Sequence, residues 1–276
     1  MSMNPSRRIL AELSRSSDGR VDLAQAALLI AQEEYPELEI RPYLAKLDDL
    51  AARAASVTQG LPPEEAAAAL VRFLYVDEGF RGNEDNYYDP RNSYLNEVLD
   101  RRLGIPITLC LIGMEVGRRL RLPLTGVGLP GHFVLRYTAK GETIFDAYRG
   151  GARLTLDDCR EIVSRASGGA MTLRAEHLRS ATRLEILVRI LRNLKGAYAR
   201  ATDLPRALAA VERILILEPE DHSEIRERGT ILAKMGLATK ALVDLETYLR
   251  LDPDAPDSDE VWEQVRSIRE ARSLLN

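Results

Sequence analysis

The chain has 276 residues, enough for one large domain or two smaller ones that bury a stable core without metals or disulfides. Its net charge of −4 and its interspersed Arg and Glu residues give no long-range attraction to phosphate backbones, which argues against nucleic-acid binding. No apolar run approaches the roughly 20 residues of a membrane span, and the N-terminus lacks the apolar core of a secretory signal. We therefore predict a cytoplasmic protein with neither nucleic acid nor membrane as a partner.

The cysteines and histidines form neither a metal pattern nor a disulfide pattern. Cys110 and Cys159 both fall in apolar, helix-like stretches, where a reduced thiol behaves as a small apolar group. The three histidines are scattered, and none is paired with a cysteine at the spacing that tetrahedral zinc sites use. We predict two free thiols in a reducing compartment, no metal site and no cofactor.

Helical periodicity dominates the first part of the chain. Apolar residues recur three and four positions apart over residues 22–34, 41–56 and 63–75, which predicts three amphipathic helices. Residues 77–90 have no period and are rich in glycine, asparagine, aspartate and proline. This segment is predicted to be an ordered or functional loop.

Two further helices are predicted on either side of a glycine. Asn92 or Ser93 is a suitable cap for a helix that runs to residue 102 and is closed by Gly104. Pro106 suits the first turn of the next helix, because the N–H that proline lacks would be unpaired there in any case. That helix is predicted to run to about residue 120.

The β-structure predicted for this chain comes directly after this helix in the sequence. Three short segments of β-type composition are separated by the turn-forming dipeptides Pro130-Gly131 and Lys140-Gly141, which predicts a small antiparallel meander. The predicted strands are residues 122–129, 132–138 and 143–147. A helix over 156–166 is predicted to follow the meander.

From residue 182 onward the pattern is all helical and contains an internal repeat. Residues recur at a common offset of 34 positions (241 − 207), which is the tetratricopeptide period. The matching pairs are Ala207/Ala241, Leu208/Leu242, Val211/Leu245, Glu212/Glu246, Leu215/Leu249, Leu217/Leu251, Glu218/Asp252 and Pro219/Pro253. A helix predicted over 224–235, closed by Gly236, supplies the other half of the unit. We predict one mixed domain over 1–180 and a helical-repeat domain over 181–276.

A thiol, an imidazole and a carboxylate lie near the ends of the predicted elements. Cys110 is in the first turns of its helix, His132 opens a strand, and Asp146 is on the next strand. In acyl-transfer enzymes a helix N-terminus and an imidazolium lower the pKa of the thiol, and a carboxylate fixes the histidine tautomer. The sequence therefore contains the parts of a Cys-His-Asp site.

Several motifs carry a resemblance to a known family. They are Asn92-Ser93-Tyr94-Leu95 through Leu99-Asp100-Arg101-Arg102, then Gly104-Ile105-Pro106-Ile107, Pro130-Gly131-His132-Phe133, and Leu191-Arg192-Asn193-Leu194-Lys195 with Tyr198. With these motifs the chain resembles the SirB-type family of bacterial proteins over nearly its whole length. The resemblance implies an α+β, mainly helical fold. It consists of a transglutaminase-like (papain-like) core with a small antiparallel sheet, followed by tetratricopeptide-type helical repeats.

The resemblance also locates a departure from active transglutaminase-like enzymes. In those enzymes the nucleophilic cysteine follows a glycine at the mouth of a helix, one helix length before a segment that enters the first strand. Residues 121–123 take the place of that segment here, and counting back the same way reaches Pro106. His132 and Asp146 fall at their expected places. The resemblance thus implies a triad that keeps two members and has proline at the nucleophile position.

Two other side chains are candidate nucleophiles. Cys110 lies one helical turn after Pro106 among apolar neighbours, and a buried thiol without a close cation has a raised pKa. Burial is therefore the favoured interpretation of Cys110, and slow labelling by thiol reagents is expected. Thr108 lies in the first turn of the helix, where its hydroxyl more simply satisfies free N–H groups. An unactivated hydroxyl is also a weak nucleophile.

The histidine and the aspartate have a structural interpretation as well. A half-buried His132 bonded to Asp146 would hold two strands in register, and Asp146 would also stabilise the turn that follows it. The functional and structural interpretations have equal weight, because an inactivated enzyme would keep such a pair. The loop tyrosines either line the cleft or cap the core. The residues predicted to line the cleft are Asn86, Tyr87, Asn92, Tyr94, Pro106 and Gly131.

Three functions are compatible with this sequence. The missing nucleophile favours a non-catalytic protein-binding or regulatory adaptor that binds a protein or peptide in its repeat groove. The alternative is a cysteine or threonine acyl-transfer enzyme, in which Cys110 or Thr108 attacks and His132 acts as the base beside Asp146. A purely structural scaffold differs from the adaptor in having no defined ligand. The oligomeric state is left open.

Overall fold

The computed structural model describes residues 5–15, 21–139 and 143–273. The chain divides into two compact units between Ile190 and Leu191. The larger unit contains the described residues from 21 to 190. The smaller unit contains residues 5–15 together with residues 191–273.

The described residues form twelve α-helices and six β-strands. The helices are α1 (Pro5–Ser14), α2 (Leu23–Gln32), α3 (Ile40–Thr58), α4 (Pro63–Arg72), α5 (Leu95–Arg101), α6 (Pro106–Arg119), α7 (Leu156–Ala166), α8 (Arg183–Arg200), α9 (Leu204–Leu217), α10 (His222–Lys234), α11 (Ala238–Leu251) and α12 (Ser258–Ser273). The strands are β1 (Arg81–Gly82), β2 (Leu103–Gly104), β3 (Leu124–Val127), β4 (Val134–Tyr137), β5 (Thr143–Asp146) and β6 (Ala152–Leu154).

Local capping groups explain where several helices begin. α2 follows Asp22, whose Oδ1 accepts the N–H of Gln25 at 3.0 Å. α7 follows Thr155, which forms a reciprocal capping box with Asp158. α6 has Pro106 as its first residue. The helices predicted at the positions of α2, α3, α6 and α7 are confirmed.

A four-stranded antiparallel sheet with the order β3-β4-β5-β6 confirms the predicted meander. Leu135 of β4 lies opposite Phe145 of β5. The last strand, β6, was not predicted, because it has only three residues and two of them are exposed. The predicted turn at Lys140-Gly141 lies outside the described residues.

The loop predicted over residues 77–90 is anchored by two strand residues. Arg81 pairs with Leu103 and Gly82 pairs with Gly104, and these two pairs form the short parallel contact between β1 and β2. The contact ties the loop to the residues immediately before α6. A two-residue strand has no period, so the sequence pattern did not reveal it.

The helix predicted over 63–75 ends earlier than expected. Its regular part, α4, stops at Arg72 and continues as a π-helical turn over Phe73–Asp77. Tyr75 in this turn is buried and donates its hydroxyl hydrogen to the carbonyl oxygen of Leu109 at 3.0 Å. The apolar periodicity continues across the turn, which is why the sequence did not mark the change.

The boundaries of α5 also differ from the prediction. The helix begins at Leu95 rather than after a cap at Asn92 or Ser93, because the side-chain amide of Asn92 is bonded to loop carbonyl groups. At the other end Arg102 adopts the left-handed backbone, with φ of 58°, that was expected two residues later at Gly104.

The central element of the larger unit is α6. It packs against β3 and β4, and also against α2, α3 and α4. Close packing at Gly113 depends on the absence of a side chain, because a Cβ there would come 2.5 Å from the hydroxyl of Tyr75. A second apolar cluster joins the sheet to α7. Its buried members are Val127, Leu129, Val134, Ile144, Cys159 and Val163.

The chain from α8 to α11 contains two copies of the predicted repeat. α9 and α11 differ by 34 residues at both ends (238 − 204 and 251 − 217), and α8 and α10 end at residues 200 and 234, again 34 apart. The repeats are therefore α8–α9 and α10–α11, followed by α12. The buried cluster around α11 and α12 consists of Leu242, Leu245, Tyr248, Leu249, Ala255, Val261 and Val265. The chain described after residue 183 contains no β-strand.

The first helix belongs to the smaller unit, although the sequence assigned it to a domain over 1–180. α1 packs against α9, and Arg7 donates a hydrogen bond to Glu212 Oε2 at 2.6 Å. The compact units also divide inside α8 rather than between residues 180 and 181. The domain boundary at 180 stays a prediction.

Candidate functional site

His132 and Asp146 lie next to each other at one end of the sheet. His132 is two residues before the start of β4, and Asp146 is the last residue of β5. Because β4 and β5 are antiparallel, the start of one strand and the end of the other lie at the same end of the sheet. His132 Nε2 is 3.0 Å from Asp146 Oδ2, which is an ion-pair distance, but the two groups lack the alignment of a hydrogen bond.

The Asp146 carboxylate is fully buried and is held in place by the backbone that follows it. Its Oδ1 accepts the N–H groups of Tyr148 at 3.0 Å and Arg149 at 3.3 Å, which caps a short 3-10 turn. The other oxygen, Oδ2, is nearest to His132, whose side chain is 14% exposed, while Arg149 Nε is 3.9 Å away. The turn thus fixes the carboxylate so that one oxygen faces the imidazole.

Arg189 of α8 holds the backbone that carries His132. Its Nη2 donates hydrogen bonds to the carbonyl oxygens of Leu129 at 3.0 Å and His132 at 2.7 Å. The guanidinium lies over the Phe133 ring, 5.4 Å from its centroid. A Cβ on Gly128 would come 2.9 Å from Arg189 Nη1, so the glycine leaves room for this contact. Arg189 therefore fixes both ends of the turn before His132.

A row of aromatic rings extends from His132 through Tyr148 and Tyr87 to Tyr88. Successive ring centroids are 6.4 Å apart for His132 and Tyr148, 6.0 Å for Tyr148 and Tyr87, and 5.2 Å for Tyr87 and Tyr88. All three contacts are edge-to-face, the favourable arrangement for aromatic quadrupoles. Burial is the largest cause that raises the pKa of Tyr87 and of Tyr148. Both phenols stay protonated at neutral pH and can donate hydrogen bonds to a ligand.

The position that was predicted for a nucleophile holds no reactive group. Pro106 is buried at the first position of α6. Thr108 is also fully buried, and its hydroxyl donates to the carbonyl oxygen of Asn92 at 2.7 Å and accepts the N–H of Ile105 at 3.1 Å. The Thr108 hydroxyl is therefore committed to the backbone at the start of α6.

Cys110 is fully buried, as its apolar neighbours predicted. Its Sγ donates to the carbonyl oxygen of Phe133 at 3.6 Å. Burial, reinforced by the nearby Asp146 carboxylate, raises the pKa of this thiol well above its ordinary value. The thiol is therefore protonated at neutral pH and lacks the thiolate character that a nucleophile requires.

The residues predicted to line a cleft have different roles in the structure. Tyr87 belongs to the aromatic row, whereas Tyr94 is buried and packs edge-to-face against Tyr35 at 5.5 Å. The side chain of Asn92 is fully buried and donates to the carbonyl oxygens of Asn86 at 2.8 Å and Tyr87 at 3.2 Å. Tyr94 and Asn92 thus belong to the core and to the support of the loop, and Asn86 is exposed.

Gly131 is required by its backbone conformation as well as by space. Its φ is 73°, in the left-handed region, and a Cβ at this position would collide with the Cβ of Ala166. Gly131 therefore allows the turn to bring His132 close to Asp146.

Two residues of the site, Arg189 and Tyr148, were not predicted from the sequence. Tyr148 is two residues after Asp146, so the predicted position of the carboxylate could have indicated it. Arg189 is 57 residues away from His132 in sequence and lies on an amphipathic helix, where an arginine is unremarkable. No local pattern identifies it.

Within the described residues, no three His, Cys, Asp or Glu side chains are grouped closely enough to hold a metal ion. None of the helices described here has the length and apolar composition needed to cross a bilayer.

Comparison with known proteins gives matches over both parts of the chain. A model of the transglutaminase-like superfamily matches residues 41–192, and a tetratricopeptide repeat model matches residues 194–266. A UPF0162 protein from Xylella fastidiosa strain Temecula1 is 40% identical over 255 residues, which cover 90% of each chain. UPF0162 protein PA3419 from Pseudomonas aeruginosa is 34% identical over 88% of this chain and 87% of its own. UPF0162 protein YchA from Escherichia coli K12 is 28% identical over 89% of both chains.

Proposed function

The chain belongs to the transglutaminase-like superfamily and to the UPF0162 family, and from this membership and the site geometry we propose that it is a non-catalytic protein-binding adaptor. Its transglutaminase-like domain keeps the His132–Asp146 pair without a nucleophile. Its tetratricopeptide repeats supply the protein-binding surface, since such repeats generally mediate contacts between proteins. The SirB-type assignment and the cytoplasmic location stay predictions.

One observation supports the absence of catalysis, namely that no candidate nucleophile is reactive. Pro106 has no nucleophilic atom, and the hydroxyl of Thr108 is bonded to the backbone. Cys110 is buried, with a pKa raised by burial. An acyl-transfer enzyme needs a nucleophile that its base can activate, and none of these three side chains meets that need.

The retained pair has a structural use that accounts for its presence without chemistry. Asp146 caps the turn after β5, and its contact with His132 joins the ends of two strands. The aromatic row beside His132 lines a surface with protonated phenols. We assign this surface to binding rather than to turnover.

The proposal is tested by placing a thiol at the position of Pro106. The full-length Pro106→Cys protein should gain a thiol with a lowered pKa, because the new side chain would lie at the N-terminus of α6. Thiolate absorbance as a function of pH measures this directly, and His132→Ala in the same background should raise that thiol pKa again. Pro106→Ala is the matched control. If the thiol pKa is the same with and without His132, the assignment of Pro106 to the nucleophile position is contradicted.

The absence of activity is tested on the unmodified protein. Incorporation of a fluorescent amine into a glutamine peptide, and hydrolysis of that peptide, should stay at the buffer rate for the native chain and for His132→Ala. Turnover that disappears in Cys110→Ser or Thr108→Val would overturn the adaptor proposal and support acyl transfer.

A further inference from the structure

A groove with exposed apolar side chains lies where the two repeats meet. The groove has a volume of about 350 Å³ and lies between α9, α10 and α11. Its apolar lining consists of Leu208, Leu232, Leu237 and Val243. Val243 is 61% exposed and Leu237 is 40% exposed. Apolar side chains that are grouped and exposed in this way are typical of surfaces that bind a partner.

The first repeat has a carboxylate where the groove has a leucine. Asp203 lies 34 residues before Leu237, and its carboxylate accepts the N–H of Arg206 at 3.2 Å as the cap of α9. The same carboxylate pairs with the Arg206 guanidinium at 2.7 Å. Leu237 can do neither, and α11 begins without a side-chain cap. The second repeat therefore lacks the stabilising cap of the first repeat, and it exposes an apolar side chain at the same position.

Lys240, three positions after Leu237, lacks the two partners that the equivalent arginine has in the first repeat. In the first repeat Arg206 also lies over the Tyr198 ring, 5.9 Å from the centroid. The equivalent cation is Lys240, and the residues at the positions of its two expected partners are Leu237 and Leu232. Lys240 is exposed and makes no ion pair with any residue that the structure describes. The second repeat thus offers a cation beside two leucines.

The other charged groups of the groove are neutralised within the chain. Arg228 and Asp244 form two hydrogen bonds of 2.7 Å, and Glu212 pairs with Arg7 at 2.6 Å. Lys240 is consequently the charge that the groove presents to a partner. A complementary ligand carries a negative charge next to apolar groups.

We propose that this groove docks a segment of a partner protein that carries a carboxylate beside bulky apolar side chains. The carboxylate pairs with Lys240 as Asp203 pairs with Arg206, and the apolar side chains cover Leu237 and Val243. The inference rests on the proposed adaptor role, for which it supplies the binding surface and the chemistry of the partner.

The probe for this groove is the synthetic peptide acetyl-Leu-Asp-Leu-Leu-amide, compared with its twin that has Asn in place of Asp. NMR titration of the full-length protein should shift the amide signals of Leu237, Lys240 and Val243. The Asp peptide should bind roughly fivefold more tightly than the Asn twin, because a carboxylate gains the Lys240 contact and the free N–H groups of α11.

Two variants separate the groove from the stability of the fold. Leu237→Asp supplies the missing carboxylate from within the chain, so it should raise the melting temperature and abolish binding of the Asp peptide. Lys240→Glu should abolish binding without a loss in melting temperature, because a carboxylate is favourable in the first turn of α11. Lys234→Glu, which makes the same charge change outside the groove lining, is the matched control and should bind like the native protein.

Three results would overturn the inference. They are equal affinities of the Asp and Asn peptides, unchanged binding by Leu237→Asp, and groove signals that shift with protein concentration alone, since the occupant is then a second copy of the chain. Failure of the adaptor proposal has a different signature, which is turnover that depends on Cys110 or Thr108. That result leaves peptide binding by the groove unaffected.

Discussion

Asp146 divides its two carboxylate oxygens between two tasks. Oδ1 accepts two backbone N–H groups of the turn, and Oδ2 is 3.0 Å from His132. The first task alone explains why an acidic residue ends β5, because a buried carboxylate needs such donors. The second task places the imidazole at a defined position beside Tyr148. A cap and a dyad are therefore built from one side chain, so neither role can be removed without affecting the other.

Arg189 offers a sharper test of how the site is held, because its contacts are to backbone atoms. Replacing Arg189 by Gln removes the donors to the carbonyl oxygens of Leu129 and His132. Since hydrogen bonds from a charged group contribute about 1.5–3 kcal/mol each and both are lost, we expect a loss of roughly 3–6 kcal/mol in the free energy of unfolding. Amide hydrogen exchange over residues 128–133 should become faster, as measured by mass spectrometry.

The control for Arg189 is Arg179→Gln, which removes an exposed arginine that pairs with Glu185. An exposed ion pair contributes about 0–1 kcal/mol, so this variant should leave the exchange of residues 128–133 unchanged. If Arg189→Gln and Arg179→Gln behave alike, Arg189 does not position His132.

For individual residues, the sequence predicted the side chains that lie near the end of a recognisable helix or strand. His132 follows a Pro-Gly turn and Asp146 lies near the end of a predicted strand, so their proximity followed from the antiparallel connection. Thr108 at the start of α6 and the burial of Cys110 followed in the same way from helical register. Arg189 did not, because its contacts depend on where a distant helix packs, and a local pattern carries no information about that.

The two repeats let one element be compared with another in the same protein. Thr202 and Gly236 follow α8 and α10 at equivalent positions, and both have left-handed backbones, with φ of 58° and 75°. The next residues repeat the pattern, since Asp203 N–H bonds to Tyr198 O and Leu237 N–H bonds to Leu232 O, both at 2.9 Å. The first repeat thus uses a β-branched residue in a conformation that favours glycine.

This comparison predicts opposite effects for two substitutions. Thr202→Gly should raise the free energy of unfolding by about 0.5–1 kcal/mol, because the relief of left-handed strain exceeds the entropy that glycine adds to the unfolded chain. Gly236→Thr should lower it by about 1 kcal/mol. A Cβ at Gly236 meets no atom within 4 Å, so the effect there is conformational rather than steric.

Urea denaturation of both variants measures these changes against the native chain. Gly196→Ala is a useful reference, since a Cβ at this position also meets nothing within 4 Å but the residue lies within α8. That substitution should stabilise by about 0.5–1 kcal/mol through helix propensity alone. Equal stabilities for Thr202→Gly, Gly236→Thr and the native protein would refute the strain argument.

For helices and strands, periodicity decided what the sequence revealed. The 34-residue repeat predicted helices of matching bounds, and alternation between turn signals predicted three of the four strands. The β1–β2 pair and β6 were missed because two or three residues have no measurable period. The π-helical turn after α4 was missed because apolar residues continue through it. Short or irregular elements are fixed by tertiary contacts, which a local pattern does not contain.

Both cysteines lie in the larger unit. Their thiols stay protonated in the folded protein at pH values at which the thiols of the unfolded chain lose their protons. Burial raises the pKa of Cys110 well above its ordinary value and also raises the pKa of Cys159. Burial acts in the same direction on the pKa of Tyr75 in the π-helical turn. All three groups lose a proton more readily in the unfolded chain than in the fold.

The sign of this difference in proton binding determines how the stability of the fold changes with pH. Above a pH of about 8.5, an unfolded thiol releases its proton while the folded Cys110 keeps it, so the folded state binds more protons. Stability falls with rising pH whenever the folded state holds more protons, by about 1.4 kcal/mol per pH unit for each such group. The free energy of unfolding, measured in urea at a series of alkaline pH values, should therefore decrease between about pH 8.5 and about pH 10. Cys110→Ala removes one titrating group, so the free energy of unfolding of this variant should fall less steeply with pH in this window, by about 1.4 kcal/mol per pH unit. This difference in slope is expected even if the cavity left by the substitution lowers the stability of the variant at neutral pH. An unchanged slope would mean that Cys110 ionises as readily in the fold as in the unfolded chain, and the argument that burial makes this thiol unreactive would fail with it.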